Sequence, residues 1–140
     1  MNIDSIKNGI VIDHIEEGKG MEIYSLLHLD LLDCPVAIIK NVTSRKMGKK
    51  DIIKVDAEIN LDMDILGYVA PEATVDIIKD GELCEKKKMT LPEKLTDVIF
   101  CKNPRCITTT EQELPHIFNL TDKDEKVYRC AYCESKATEN

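Results

Sequence analysis

A chain of 140 residues with 43% hydrophobic and 32% charged residues has an ordinary globular composition, which excludes a disordered tail or a fibrous repeat. Its 19 basic and 26 acidic residues leave a formal net charge of -7, which argues against a general nucleic-acid coat, because that affinity comes from neutralising many phosphates. No apolar run exceeds four residues, far short of the roughly 18 that span a bilayer, and the opening Met1 to Lys7 lacks the basic start and apolar run of a secretory signal, so a cytosolic protein without a membrane partner is expected.

Gly9 to Ile15 is short, β-branched and bounded by glycine, and reads as a strand. Gly20, Ile23, Tyr24, Leu27 and Leu31 follow at helical spacing, and Pro35 closes that segment. Val36 to Val42 reads as a second strand, Thr43 to Lys50 as a polar loop, and Asp51 to Ile59 as a third strand. In this last, Ile53, Val55, Ala57 and Ile59 point one way and Ile52, Lys54, Asp56 and Glu58 the other, so one face is buried and one open. Asn60 is the expected cap of a short second helix, with Asp62 and Asp64 near its positive end and Pro71 soon after it. Thr74 to Lys79 and Glu82 to Met89 then form a hairpin about Asp80-Gly81.

The order strand, helix, strand, strand, helix, strand, with a further strand, is the split βαβ pattern of ferredoxin-like α+β folds. Helices on one face leave the other for an interface or a ligand, and Ile52, Lys54, Asp76 and Ile78 are predicted to look that way. A joint is expected at Met89-Thr90-Leu91-Pro92, dividing an amino-terminal domain, 1–92, from a small, mostly β domain, 93–140.

That second domain holds four of the six cysteines, as Cys101-x4-Cys106 and Cys130-x2-Cys133. Two close pairs in a reducing compartment suit one Zn2+ held by four thiolates, a structural site with no position left for substrate, with two disulfides or a dithiol redox pair as the other readings. The aliphatic residues available, chiefly Ile107, Leu114, Ile117, Phe118 and Val127, are few for a unit of this size, which therefore needs a crosslink. Cys34 and Cys84 are isolated and read as small buried hydrophobes. His14, His28 and His116 form no catalytic set, no nucleophile is paired with a base, and no glycine-rich phosphate loop occurs, so no enzyme is expected. Arg45, Lys46, Lys49, Lys50 and Lys54, with Lys86, Lys87 and Lys88, are either solvated edge-strand lysines or the cradle of a polyanion.

The blocks Gly9 to Ile15, Met47 to Lys54, Ala70 to Val75, Leu91-Pro92-Glu93, Cys101 to Thr108 and Cys130-Ala-Tyr-Cys133, in this order, resemble the regulatory chain of aspartate carbamoyltransferase over nearly the whole length. The resemblance implies a non-catalytic subunit in pyrimidine biosynthesis. Its amino-terminal allosteric domain would bind CTP, UTP and ATP and pair as a regulatory dimer, and its zinc domain would dock on the catalytic chain and bridge catalytic trimers. By position, Lys54 and Lys86 would meet phosphates, Asp13 the ribose, and Ile6, Ile52, Asp76, Ile78 and Leu83 the base and its surroundings. Ile3, Asp4, Ser5 and Ile6 would supply backbone contacts, and His14 and Lys50 lie at the edge of the same site. Asp76 departs from a family position that is often Asn, Gly81 from one that is often larger, and Lys102 from a proline. A zinc-ribbon nucleic-acid-binding protein, suggested by the four cysteines and the lysine clusters, is the alternative, and a dithiol oxidoreductase about Cys130 and Cys133 a third reading.

Overall fold

The computed structural model describes residues 6–137. It divides into two compact units, 1–90 and 91–140.

The first unit is a five-stranded antiparallel sheet with helices, in the chain order β1 (Gly9–Glu16), α1 (Gly20–Leu26), β2 (Val36–Ser44), β3 (Gly48–Val55), α2 (Met63–Val69), β4 (Thr74–Lys79) and β5 (Glu82–Lys88). The sheet order is β2-β3-β1-β4-β5, so β3 and β4 flank β1 and every neighbour pairs antiparallel, the split βαβ arrangement with β5 added at one edge. Alternation places Ile10 and Ile12 of β1, Ile53 and Val55 of β3 and Val75 of β4 on one face. There they pack with Ile15, Ile23, Leu29, Leu66, Ala70 and Ala73 into one buried cluster. Each such side chain contributes roughly 1.5 to 3 kcal/mol by leaving water.

Several boundaries differ from expectation. The first helix stops at Leu26, because His28 adopts a left-handed conformation (φ 55°) and a 3₁₀ turn, Leu29–Leu31, follows. Leu29 is therefore buried and Leu31 is 76% exposed, the reverse of the expected stripe. β2 and β3 extend to Ser44 and from Gly48, which shortens the expected loop to Arg45–Met47. β3 ends at Val55, so Ala57 and Ile59 reach the core from the connection rather than from a strand. The cap of α2 is Asp62 instead of Asn60, its carboxylate accepting the N–H groups of Asp64 and Ile65 at 3.1 and 3.2 Å. Asp80 and Gly81, both at positive φ (52° and 78°), make the two-residue turn of the β4–β5 hairpin. Cys84 is exposed rather than buried, because β5 is exposed along its whole length.

The second unit has a three-stranded antiparallel sheet, β6 (Lys94–Thr96), β7 (Ile117–Asp122) and β8 (Val127–Cys130), in sequence order, with a one-turn helix α3 (Ile107–Thr110) between β6 and β7. Its interior consists of Leu95, Phe118 and Tyr128 beside Cys101, Cys106 and Cys130, while Ile107, expected in the core, is 50% exposed. Tyr128 is buried with its hydroxyl satisfied, donating to the Pro92 carbonyl at 2.6 Å. No helix among the described residues is long and apolar enough to cross a membrane.

Candidate functional site

The two cysteine pairs come from two turns. In the first, the Asn103 carboxamide oxygen accepts the Arg105 N–H at 3.0 Å and the Asn103 carbonyl accepts the Cys106 N–H at 3.0 Å, which curls Cys101 and Cys106 toward each other. In the second, the Cys130 N–H donates to the Ser135 carbonyl and the Glu134 N–H to the Cys130 carbonyl, both at 2.9 Å, with Glu134 at φ 63°. The four sulfurs all lie within 4.8 Å of one another. Cys101 Sγ is 3.6 Å from Cys133 Sγ and Cys106 Sγ is 3.7 Å from Cys130 Sγ.

Those separations exclude disulfides and match a metal site. A disulfide needs sulfurs about 2.05 Å apart, whereas four thiolates about 2.3 Å from one central ion stand about 3.8 Å apart. Burial pushes the Cys101 thiol up to about 12 and also raises Cys130, while hydrogen bonding from Ser135 brings Cys133 down to about 6. So many thiols in one place ionise together only around a cation. Every ligand comes from the protein, so a bound ion would hold two turns together and leave no position for substrate.

Residues that the spacing did not flag complete this site. Thr108, buried in α3, places its hydroxyl 3.0 Å from Cys106 Sγ, where it donates to a thiolate. His116 Nδ1 accepts the Cys101 N–H at 3.3 Å, so this histidine orients a ligand and is not one itself. Its ring meets the Phe100 ring edge-on at 4.9 Å, and the His116 backbone N–H donates to the Asp97 carboxylate at 2.8 Å. The C-x-T spacing was the available signal for Thr108; nothing in the sequence pairs His116 with Cys101.

In the first unit, the sheet face opposite the core gathers the predicted ligand residues. Cross-strand register sets Lys54, Val11, Asp76 and Lys86 in one row across β3, β1, β4 and β5, and side chains directly opposite share a face. One step along the strands, Ile78 pairs with Gly9 and with Leu83, which is 59% exposed. A Cβ at Gly9 would come within 2.8 Å of Ile6 Cγ2, so Ile6 lies against that end of the row. One step the other way are Ile52, Asp13 and Thr74. Asp13 accepts from Lys50 Nζ at 2.9 Å and from the His14 N–H at 2.6 Å. His14 Nδ1 lies 3.0 Å from the Thr74 hydroxyl. Burial works against the Asp13 carboxylate, but Lys50 and His14 outweigh it and hold the group below its ordinary value. Asp76 Oδ1 is buried and has no hydrogen-bond partner among the described residues. Ile3, Asp4 and Ser5 lie outside those residues.

Comparison with known proteins covers both units. Residues 1–90 match the family described as aspartate carbamoyltransferase regulatory chain, allosteric domain. Residues 93–140 match the same chain's metal binding domain. A curated relative from Clostridium tetani, named aspartate carbamoyltransferase regulatory chain, is 50% identical over 135 residues, 96% of this chain and 94% of its own. Relatives of the same name from Clostridium botulinum and Bifidobacterium longum are 47% and 42% identical, covering 96% and 98% of this chain and 92% and 99% of their own.

Proposed function

This chain belongs to the family of aspartate carbamoyltransferase regulatory chains, non-catalytic subunits with an allosteric and a metal-binding domain, and from that premise we propose that its open sheet face binds nucleoside triphosphates. The observation that carries the reading is the row Lys54, Val11, Asp76, Lys86, two cations about an apolar residue and a carboxylate on the face opposite the buried cluster, with the Asp13–Lys50 pair beside it. The lysines meet the polyphosphate, which purine and pyrimidine nucleotides share, and so supply affinity common to CTP, UTP and ATP. Asp13 accepts from the ribose hydroxyls. Ile6, Ile52, Ile78 and Leu83 line the side where a base can lie, with Asp76 Oδ1 as an acceptor for a ligand donor. Ile3, Asp4 and Ser5 add backbone contacts, and His14 and Lys50 close the edge. Opposite responses to two nucleotides then require only that each bind the two quaternary states unequally.

The metal is Zn2+, one per chain, held by Cys101, Cys106, Cys130 and Cys133. The donor set supports this, since four thiolates in a closed tetrahedral shell suit a soft d10 ion, and reduced thiols suit the cytoplasm. When bound it supplies a crosslink and no chemistry on substrate. Around the two turns, Phe100, Ile107 and Tyr132 are 58%, 50% and 40% exposed, apolar surface that suits docking on the catalytic chain. Self-association of the allosteric domains into a dimer would let two such zinc domains reach two catalytic trimers.

Calorimetric titration of the full, metal-loaded chain with CTP and with ATP, repeated after mixing with a matching catalytic trimer and with aspartate-dependent activity followed in parallel, tests this. Binding of both nucleotides with a change in activity is the expected result, and no binding in either state overturns it. Replacement of Lys54 by Ala should weaken all nucleotides alike by about 1.5 to 3 kcal/mol with assembly intact; unchanged affinity would place that lysine outside the site.

A further inference from the structure

Two bulges face each other across β3. On β1 the pairing steps from Ile12 opposite Ile53 to Ile15 opposite Asp51, and on β2 from Ile39 opposite Ile52 to Val42 opposite Lys50, so each neighbour carries one extra residue at the same level. Both bulges contain a residue in the left-handed region, His14 (φ 57°) and Asn41 (φ 60°). Between them stands Asp51, fully buried. Its Oδ1 accepts the Asn41 N–H at 3.1 Å, and its Oδ2 accepts the N–H groups of Gly18 at 3.2 Å and Gly20 at 3.0 Å. Approach to α1 is so close that a Cβ on Gly20 would stand 2.9 Å from Oδ2.

The two halves of β3 are anchored differently. Ile53 and Val55 are buried and hold the second half in register by themselves. Gly48, Lys49 and Lys50 have no apolar side chain to bury, and a bulge in each neighbouring strand separates them from the half that Ile53 and Val55 hold. Asp51 is the buried residue at that end, and its carboxylate ties the strand to the β2 bulge and to the turn after β1. Since neighbouring residues alternate faces, an inward Asp51 turns Lys50 outward, where its ammonium meets Asp13 at 2.9 Å.

We infer that Asp51 is a positioning residue for the nucleotide face, acting through Lys50 on Asp13: its three backbone hydrogen bonds hold the lysine-rich half of β3 so that the Asp13 carboxylate is paired, oriented and at the edge of the row that includes Lys54. This rests on the nucleotide reading above. The charged groups about Asp13 are Lys50 on β3, His14 on its own strand and Lys88, across Thr74 on β5.

The test uses the full metal-loaded chain with Asp51→Asn, whose amide keeps the shape but turns a donor toward backbone N–H groups. Two readouts are taken at a temperature where the variant is folded: the Asp13 carboxyl titration by NMR without nucleotide, and the affinities for ATP and CTP. Asp13 should return toward its ordinary value. If the competent arrangement is then populated only about one-tenth of the time, both dissociation constants rise about tenfold. A lower melting temperature with unmoved titration and affinities assigns Asp51 to stability alone and overturns the inference. Should Asp51→Asn not fold, Gly20→Ala decides. Alanine is the better helix former at the first residue of α1, so unchanged Asp13 titration and affinity in that variant overturn the inference, while a shifted titration supports it. A parent chain that binds neither nucleotide, but whose Asp13 shift disappears in Asp51→Asn, supports the positioning and overturns only the nucleotide reading.

Discussion

The two units reach stability by different routes. The allosteric unit buries one contiguous aliphatic cluster between a sheet face and its helices, eleven residues from Ile10 to Val75 with many partly buried neighbours. The metal unit buries little beyond Leu95, Phe118, Tyr128 and its own ligands. A large apolar interior tolerates the loss of one member at the cost of a cavity. A site of four cysteines drawn together around one ion loses its reason to close when one ligand or the ion is removed. The contrast suits a subunit whose first part receives a ligand and whose second part presents a fixed shape.

The largest effect should come from the metal. Chelation, or Cys101→Ala, is expected to remove about 10 kcal/mol or more of metal-coupled folding energy from the second unit, seen as loss of the chemical-shift dispersion of Phe118 and Tyr128. The resonances of Ile12 and Ile53 should keep theirs, and their collapse in the same experiment would break the comparison. Next in size, Ile53→Ala should destabilise the first unit by about 2 to 5 kcal/mol in denaturant melts and leave stoichiometric metal binding unchanged; a comparable loss of metal would show that the units do not fold separately.

The smallest effect sharpens the contrast by pH. Asp13 is held below its ordinary value of 3.8 in the folded chain. Its pairing therefore contributes stability fully above that unfolded value, and the contribution is lost as pH falls through the folded value. Asp13→Asn should be less stable than the parent near neutrality, and the difference should vanish well below pH 3.8. A difference that persists in acid would assign the loss to packing rather than to the charge.

Legibility followed the kind of interaction involved. The alternation of Ile53 and Val55 against Ile52 and Lys54 could be read directly, because a strand has period two and a half-buried sheet sorts by polarity. The end of the first helix could not: Leu27 and Leu31 continue the apolar period, and only the left-handed turn at His28 reveals the break. Asn60 and Asp62 are both competent caps, and the choice of Asp62 depends on where Leu66 must enter the core. Ile107 looked like core and is exposed, because the inward side of its one-turn helix is taken by Thr108, whose hydroxyl meets Cys106 Sγ.

The two-part division of the chain, the split βαβ order and the four-cysteine cluster are legible along the chain, because periodicity and close ligand spacing are local properties. So is the placement of Ile52, Lys54, Asp76 and Ile78 on one face. It takes the folded chain to show that Lys54 and Lys86 share a row across Val11 and Asp76, that His116 serves the backbone of Cys101, and that the buried Asp51 answers to Gly18, Gly20 and Asn41. Each of these joins donors and acceptors from separate elements, and which of them meet is set by sheet register and bulges that no single segment encodes.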